Sequence, residues 1–470
     1  MNILVITGSP KGEKSVTLQY ARWLQKRFPG HEWEWVHAAA HIAGLEKDEQ
    51  RFARVMDQVR RADLVLWTFP LYVLLVHAGL KRFIELAHER GAGSAFAGKY
   101  AASLSTSIHF HDNCAHDYIQ GVSEDMGMRF VEAHAAAMED LNTEKGRRSL
   151  EGFGRLILAA AAEKRAVFRR FSPLVSPAWS YAPCPISGDD APADLRGKRA
   201  ALVHDGARPG SNLALMVERL AASFMGQVAV HDLSRVDMRA NCLGCLRCAM
   251  HSRCVQEERD EFAAWYRREL MDADIIVLAG NMKDRHLSSR WRRFFERGFF
   301  STHIPTLKGK QLAFLVAGPA SQCPPLQQSL RGWTLWQEAS LAGIVSDERG
   351  DGAELDAVLS GLARRLADGA IQGYVPPVDY MGQGGRLIFR DHIYGPLRYV
   401  FQADHKYFKR NGYYDFPTRN WRQRIINALL TLLFKIPAAR RAFESRMKDE
   451  MVKPVRRQVE ALEQGRGTRA

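Results

Sequence analysis

The sequence predicts an α/β protein in which one parallel-sheet plan is used twice and followed by a basic extension. Three observations lead there. Short apolar runs alternate with amphipathic helical patterns, the alternation restarts after about 195 residues, and the excess positive charge gathers at the carboxyl end. In the first half Asn2–Thr7, Glu34–His37, Leu64–Phe69, Tyr100–Thr106 and Arg129–Ala133 read as strands, with helices over Val16–Phe28 and Val73–Arg90. In the second half the strands are Arg199–His204, Val228–His231, Ile275–Ala279, Leu312–Val316 and Ala342–Ser346. Its helices are read over Asn212–Met225, Glu258–Met271 and Glu354–Ala367. Strands alternating with helices call for five-stranded parallel sheets covered on both faces.

Between the halves, Ser172–Asp194 contains PLVSPAW, APCP and DDAPAD, and its Pro and Asp content marks a linker. The organisation expected is a first domain over 1–171, a linker over 172–195, a second domain over 196–375 and an extension over 376–470. A chain of 470 residues is too long for one core, and 46% hydrophobic with 25% charged residues is ordinary globular composition. No run of about 18 apolar residues occurs, so no membrane-spanning helix is expected. The net charge is +14, and from Met381 onward there are 19 Lys and Arg against 8 Asp and Glu. The basicity therefore belongs to the extension rather than to the two domains.

Each half opens with a strand, a loop of small residues and a helix. The loops are TGSPKGEKSVT (Thr7–Thr17) and HDGARPGSN (His204–Asn212). Such a loop can turn N–H groups and hydroxyls toward a phosphate at the positive end of a helix dipole. Gly8 permits the tight turn, Ser9, Ser15 and Thr17 offer hydroxyls, and Lys11 offers a charge; Arg208, Ser211 and Asn212 offer the same in the second loop. Neither loop ends in G-K-[ST] and neither is a G-x-G-x-x-G fingerprint; a plain helix cap is the alternative.

The most specific chemistry lies in NCLGCLRCAMHSRC, where Cys242, Cys245, Cys248 and Cys254 are spaced C-x2-C-x2-C-x5-C. Four thiolates on one loop suit an iron–sulfur cluster of the [4Fe-4S] kind. Tetrahedral zinc, a disulfide-linked loop or a loop holding no metal are the alternatives. The start MNILVITGSP lacks the features of a signal peptide, so a cytoplasmic chain with reduced thiols is expected, which favours metal over disulfide. Cys114, Cys184 and Cys323 are scattered and read as inert.

The GSPK loop and the segment WTFPLYVLLVHAGLKRF, with its Pro70-Leu71-Tyr72 turn after the third strand, together resemble the NADPH-dependent FMN reductase and NAD(P)H quinone reductase branch of the flavodoxin-like superfamily. The resemblance implies two flavodoxin-like domains and FMN in the first. It makes Ser9, Lys11, Ser15 and Thr17 phosphate ligands and Pro70, Leu71 and Tyr72 neighbours of the flavin ring. Ser105, Thr106 and Ser107, ending the fourth strand, become further ring contacts at the sheet edge where open α/β folds bind ligands. Tyr72 and His109 are the candidate catalytic side chains; His109, His111 and His116 could also form a metal triad or a solvated loop.

In the second half the turn is replaced by Gly280-Asn281-Met282-Lys283, so an intact second flavin site is not expected, although Arg290–Phe295 stands where LKRF stood. The cysteines lie between its second strand and second helix, where the iron–sulfur flavoprotein group of the superfamily carries a similar motif. The implied function is NAD(P)H-dependent oxidoreduction, with hydride passed to FMN and electrons onward through a cluster to a small-molecule or protein acceptor. The alternatives are an FMN/iron–sulfur electron-transfer protein without its own NAD(P)H oxidation, and a non-catalytic binding scaffold. A homodimer or an intramolecular pseudo-dimer of the two halves is the implied assembly.

The extension begins with an aromatic-dense stretch, RDHIYGPLRYVFQADHKYFKRNGYYDFP, expected to pack over the body near a cofactor edge. Lys406, Lys409 and Arg410 interleave with Tyr407, Phe408 and Tyr413, but no nucleic-acid fold accompanies them and no nucleic-acid partner is expected. Further on, Ile425, Ile426, Leu429, Leu430, Leu433 and Phe434 form an apolar stripe at helical spacing, bracketed by Arg422, Arg424, Lys435, Arg440 and Arg441. Pro437 should end this helix. The stripe fits either packing against protein or peripheral contact with an anionic membrane surface.

Overall fold

Each half is built around central strands whose side chains are shut from water on both faces. The computed structural model of the chain describes residues 1–186, 191–348, 350–415, 421–443, 445, 452 and 456. In the first half β1 (Asn2–Thr7), β2 (Glu32–Val36), β3 (Leu64–Pro70), β4 (Tyr100–Ser107) and β5 (Arg129–Ala137) pair in parallel, in the order β2-β1-β3-β4-β5. Every residue of β4 is buried, as a central parallel strand covered on two sides must be. Around the sheet run α1 (Val16–Arg27), α2 (Ile42–Lys47), α3 (Glu49–Arg61), α4 (Ala78–Glu89), α5 (Asp112–Asp125) and α6 (Glu144–Ala162). Alternation along β1 sends Ile3 and Val5 to the layer of α1 and α6, and Leu4 and Ile6 to the layer of α3, α4 and α5.

The second half has β6 (Ala193–His204), β7 (Phe224–Asp232), β8 (Ile275–Asn281), β9 (Gln311–Ala317) and β10 (Ser340–Ser346), again all parallel, in the order β10-β9-β8-β6-β7. Numbered within each half, both sheets run second, first, third, fourth, fifth, the doubly wound order of flavodoxin-like folds. Its helices are α7 (Asn212–Ala222), α8 (Cys248–His251), α9 (Phe262–Trp265), α10 (Ser289–Arg297), α11 (Pro324–Trp336) and α12 (Gly352–Gln372), followed by α13 (Tyr380–Tyr394), α14 (Gln402–Arg410) and α15 (Trp421–Leu433).

Three helix expectations shift. The helix read over Val73–Arg90 begins late: Leu74 has φ 60° and Val73 bridges Leu75, so α4 starts only at Ala78, capped by His77. The helix read over Glu258–Met271 is a single α-turn followed by a π-helix over Tyr266–Met271. The helix read to Met225 ends at Ala222, because Phe224 and Met225 already belong to β7.

The halves meet through α4 and α10, and through α5 and α11. The first of these contacts is reciprocal. Glu296 of α10 accepts from the N-terminal Ala78 N–H of α4 at 2.9 Å, and Glu85 of α4 accepts from the N-terminal Ser289 N–H of α10 at 2.6 Å. Each carboxylate caps the other helix from its own eighth position, placing negative charge on the positive dipole end. Beside them Lys81, fully buried, donates to Asp284 and Glu85 at 2.9 Å each. Burial pushes the Lys81 ammonium down, but Asp284 and Glu85 outweigh it and hold its pKa above the ordinary value.

The connection between the halves is fastened rather than free. Trp179 donates its indole N–H to the Asp347 carbonyl at 2.6 Å, and the Tyr181 N–H donates to the Asn212 side-chain oxygen at 2.8 Å. Tyr181 itself is buried in the core of the second half, with its hydroxyl on Asp356. This strap crosses the carboxyl edge of the second sheet, leaving a polar cavity of about 470 Å³ between it and the Asn281–Asp284 turn.

The chain divides into two compact units, Met1–Tyr407 and Phe408–Ala470. The first part of the extension, including α13, therefore belongs with the two halves. In the second unit Phe408 stacks on Tyr413 with ring centres 4.6 Å apart, and no residue of α15 is buried. Its Ile425 and Leu429 are exposed. Among the described residues, no helix is long and apolar enough to cross a membrane.

Candidate functional site

The carboxyl edge of the first sheet is shaped by close backbone packing at Gly8. Its N–H donates to the Thr68 carbonyl at 2.6 Å, and a β-carbon there would meet Leu80 at 2.6 Å. The loop that follows is organised by its own hydroxyls. Ser9 accepts from the Lys11 N–H at 3.2 Å, and Ser15 caps α1 by accepting from the Leu18 N–H. Thr17 shares a 2.6 Å hydrogen bond with Thr106, which ties the start of α1 to the end of β4. Pro70 ends β3, Leu71 N–H donates to the Thr106 carbonyl at 3.3 Å, and Tyr72 follows with the Lys11 ammonium 5.9 Å above its ring.

These side chains open onto one cavity of about 320 Å³, a size that suits a small-molecule site. Ser9, Lys11, Ser15 and Thr17 line one end of it; Pro70, Leu71, Tyr72, Thr106 and Ser107, with Val16, Ile108 and Met138, line the rest of the first-half wall. Ser105 does not reach it. Its hydroxyl bonds His116 Nε2 at 2.8 Å while Ser103 holds Nδ1 at 2.7 Å, so the histidine is fixed in the core. Burial depresses its pKa to about 4. His109 also stays outside the lining, at φ 65° and paired with Asp112 at 2.8 Å, and His111 lies against Gly332. The three histidines do not converge on one point.

The opposite wall comes from the second half. The cysteine loop crosses over the Pro70-Leu71-Tyr72 turn, with the Cys242 carbonyl 2.9 Å from His77 Nε2. Gly244 sits at φ 60° where a β-carbon would fall 2.2 Å from the Tyr72 hydroxyl and 2.9 Å from Lys11 Cε. Only glycine allows both the left-handed backbone and that approach. The loop is held from behind by α10, since Arg293 donates to Met238 and Asn241, and Arg297 donates to Ala240 and pairs with Asp260. Tyr72 is half-buried, with its hydroxyl shut from water and in no formed hydrogen bond, and desolvation, with Cys242 and Glu296 adding, pushes its pKa far up. It is a neutral phenol in this setting.

Cys242, Cys245, Cys248 and Cys254 all reach the cavity wall, and all are free thiols. Burial raises Cys242 and pushes Cys248 up to about 12, and the neighbouring thiols act in the same direction. Among the described residues, no three His, Cys, Asp or Glu side chains are gathered closely enough to hold a metal ion. The loop thus brings the four thiols to one region without forming a metal cradle.

Several lining residues carry no sequence signal of their own. Glu296, Phe299 and His303 come from α10 and the turn after it, while Tyr399, Val400 and Phe401 come from the segment between α13 and α14. The aromatic density of that segment was the one available pointer. The donor set fits FMN: three hydroxyls, an ammonium and a helix N-terminus suit a phosphate, and an apolar turn with a tyrosine suits a planar ring.

No curated protein matches the chain. Solved structures similar to part of it include an NADH:FMN oxidoreductase, EMOB, in its apo form (20% identity, TM-score 0.29), covering 34% of this chain and 89% of that one. Another is FerB, a flavoenzyme NAD(P)H:(acceptor) oxidoreductase from Paracoccus denitrificans (23% identity, TM-score 0.30), covering 34% and 97%. A third is general stress protein 14 from Treponema denticola in complex with FMN (13% identity, TM-score 0.26), covering 35% and 99%. Residues 1–142, the part of the chain that carries the Ser9–Thr17 loop and the Pro70-Leu71-Tyr72 turn, match the model of the NADPH-dependent FMN reductase family.

Proposed function

We propose that the protein is an NAD(P)H-dependent flavin oxidoreductase that holds FMN in the cavity of its first half. One observation carries the reading: every residue assigned to FMN by the resemblance, except Ser105, lines the same cavity. The family match over residues 1–142 supports it. FMN bound there supplies hydride acceptance from NAD(P)H and release of electrons one or two at a time. The chain's own residues supply the rest. Ser9, Ser15, Thr17 and Lys11 bind the phosphate, the α1 dipole adds to them, and the Thr17–Thr106 bond fixes the loop against β4. Leu71 and Tyr72 set the face of the ring, and the cysteine loop with Phe401 excludes water from above. An apolar, aromatic-lined wall suits a planar aromatic acceptor such as a quinone.

In this reading the two halves act as an intramolecular pseudo-dimer, the second forming the roof of the first half's site. The cysteine loop, by its C-x2-C-x2-C-x5-C spacing and its position against the cavity, is the place for an iron–sulfur cluster or zinc. Because the thiols as placed gather around no single ion, no step above depends on a metal. Iron, sulfide and zinc analysis of anaerobically purified protein tests that assignment separately, and the absence of all three removes it.

The flavin assignment is tested by absorption spectroscopy of the purified chain with added FMN. The expected result is a flavin spectrum with one FMN retained. Ser9→Ala should weaken retention by about tenfold to a hundredfold, the worth of a hydrogen bond to a charged group. A chain that takes up no FMN refutes the proposal.

A further inference from the structure

A second, smaller recess adjoins the flavin cavity, and one histidine stands in the wall between them. The recess has Leu71, Tyr72 and Ile108 on the first-half side and Phe299, Trp336 and Phe389 on the other, and His303 lines both spaces. His303 is almost fully buried among aromatic rings, 4.4 Å from the centre of Phe389 and 4.8 Å from that of Phe401. A histidine serving only to fill such a place needs no carboxylate. This one has Asp404, fully buried, whose oxygen accepts from the His303 N–H at 2.7 Å and faces Nδ1 at 3.2 Å.

The carboxylate also accepts from the Thr302 hydroxyl at 2.6 Å. Thr302 stands at φ 54°, ψ −122°, a conformation a β-branched residue rarely adopts. Two consecutive residues, one of them strained, are thus pinned by a single buried acid. Strain of this kind persists only where the surroundings over-determine it, and it concentrates at functional sites. A carboxylate can only accept, so Nδ1 is the donor to Asp404 and the exchangeable proton falls to Nε2. Among the described residues Nε2 makes no hydrogen bond of its own.

We infer that His303, oriented by Asp404, is the proton donor to a quinone-type carbonyl acceptor seated between the two spaces; this rests on the flavin oxidoreductase reading. In the step the acceptor gains two electrons and one proton as a hydride that originates in NAD(P)H. Its second proton comes from His303 Nε2–H, so each C=O becomes C–O–H and the quinone leaves as a hydroquinone. The proton that leaves Nε2 is replaced from water, while Nδ1 keeps its own proton on Asp404. His303 is the catalytic residue and Asp404 a positioning residue. Both lie outside the half that carries the flavin residues.

The test uses the full-length protein with FMN and compares two acceptors: 1,4-naphthoquinone, which takes up protons, and ferricyanide, which takes an electron alone. His303→Gln should lower naphthoquinone reduction on the order of a hundredfold more than ferricyanide reduction in the same preparation. Asp404→Asn should lower kcat for naphthoquinone and leave its KM within about twofold. Calorimetric titration of the oxidised protein with naphthoquinone, without nicotinamide, gives a readout independent of turnover. Loss of the Nε2–H donor should weaken binding by about tenfold. If the two acceptor rates fall together in His303→Gln and naphthoquinone binding does not change, the donor role is overturned. A chain that holds no flavin yet binds naphthoquinone through His303 overturns the reductase reading alone.

Discussion

The two sheet edges of this protein share a strand order and a helix-capping device, and almost nothing else. In the first half Ser15 caps α1; in the second Ser211 caps α7, accepting from the Ala214 N–H. After the first strand, however, the first half has Gly8 and the second has Asp205, a buried carboxyl with one oxygen unpartnered. Burial raises Asp205 to about 6, despite the Ser288 hydroxyl donating to it. Asp347 adds a second carboxylate, holding the Gly318 N–H and the Asn212 amide. A phosphate would meet negative charge there, and the strap through Trp179 and Tyr181 already takes the hydrogen bonds of Asn212. The fold supplies an edge with converging loops; which side chains stand on it decides whether the edge is a site.

The largest effect should come from the shared wall. Lys81→Met leaves Asp284 buried without its cation and Glu85 with Arg82 alone, and should lower unfolding free energy by about 3–5 kcal/mol in chemical denaturation. A change near zero would mean that the halves do not depend on this contact.

Next in size, the two halves should respond to acid with opposite sign. His116 in the first half is depressed to about 4, so below about pH 6.5 the unfolded chain takes a proton the native one refuses. Its contribution is present above pH 6.5 and is lost as pH falls toward 4, by about 3 kcal/mol. Asp205 in the second half is raised to about 6, so the native chain holds a proton that the unfolded one has released above about pH 4. Its contribution is present below pH 4 and is lost as pH rises through 6, again by about 3 kcal/mol. Denaturation between pH 4 and 7 should show His116→Gln removing acid destabilisation and Asp205→Asn removing the opposing slope; identical pH profiles for both variants and the parent would contradict the contrast.

The smallest effect concerns the strap. Tyr181→Phe removes one hydrogen bond to Asp356, which keeps Arg219, and should lower stability by about 1 kcal/mol while leaving flavin content as it was. A loss of flavin in that variant would show that the second edge feeds the first.

Much of this was legible in the chain itself, for physical reasons. Buried parallel strands are largely continuous apolar runs, so β1, β3, β8 and β9 stand out, and helix caps at Ser15 and Ser211 follow their loops directly. The apolar run after Pro70 misleads, because VLLV is buried in a bent, bridged loop with Leu74 in the left-handed region rather than on a helix. Ser105 could not be told from Thr106 and Ser107 without knowing that the strand's alternation turns it toward His116. The roof of the cavity was hidden for a different reason. The bond between His77 and Cys242 joins residues 165 apart, and Asp404 reaches His303 across 101, separations at which local pattern says nothing. The Pro and Asp content of the strap marks it as a linker, and its packing on the second half comes from Trp179 and Tyr181.

The reciprocal caps of Glu85 and Glu296 carry one more consequence. In a symmetric pair of identical subunits, any substitution is written into both copies at once, and an improvement to one edge is imposed on the other. Here the mirrored contact is made by a single chain whose two sides are encoded separately. One edge is free to keep its serines and lysine while the other takes up aspartates and a strap, and a histidine changed on one side alters only the site it faces.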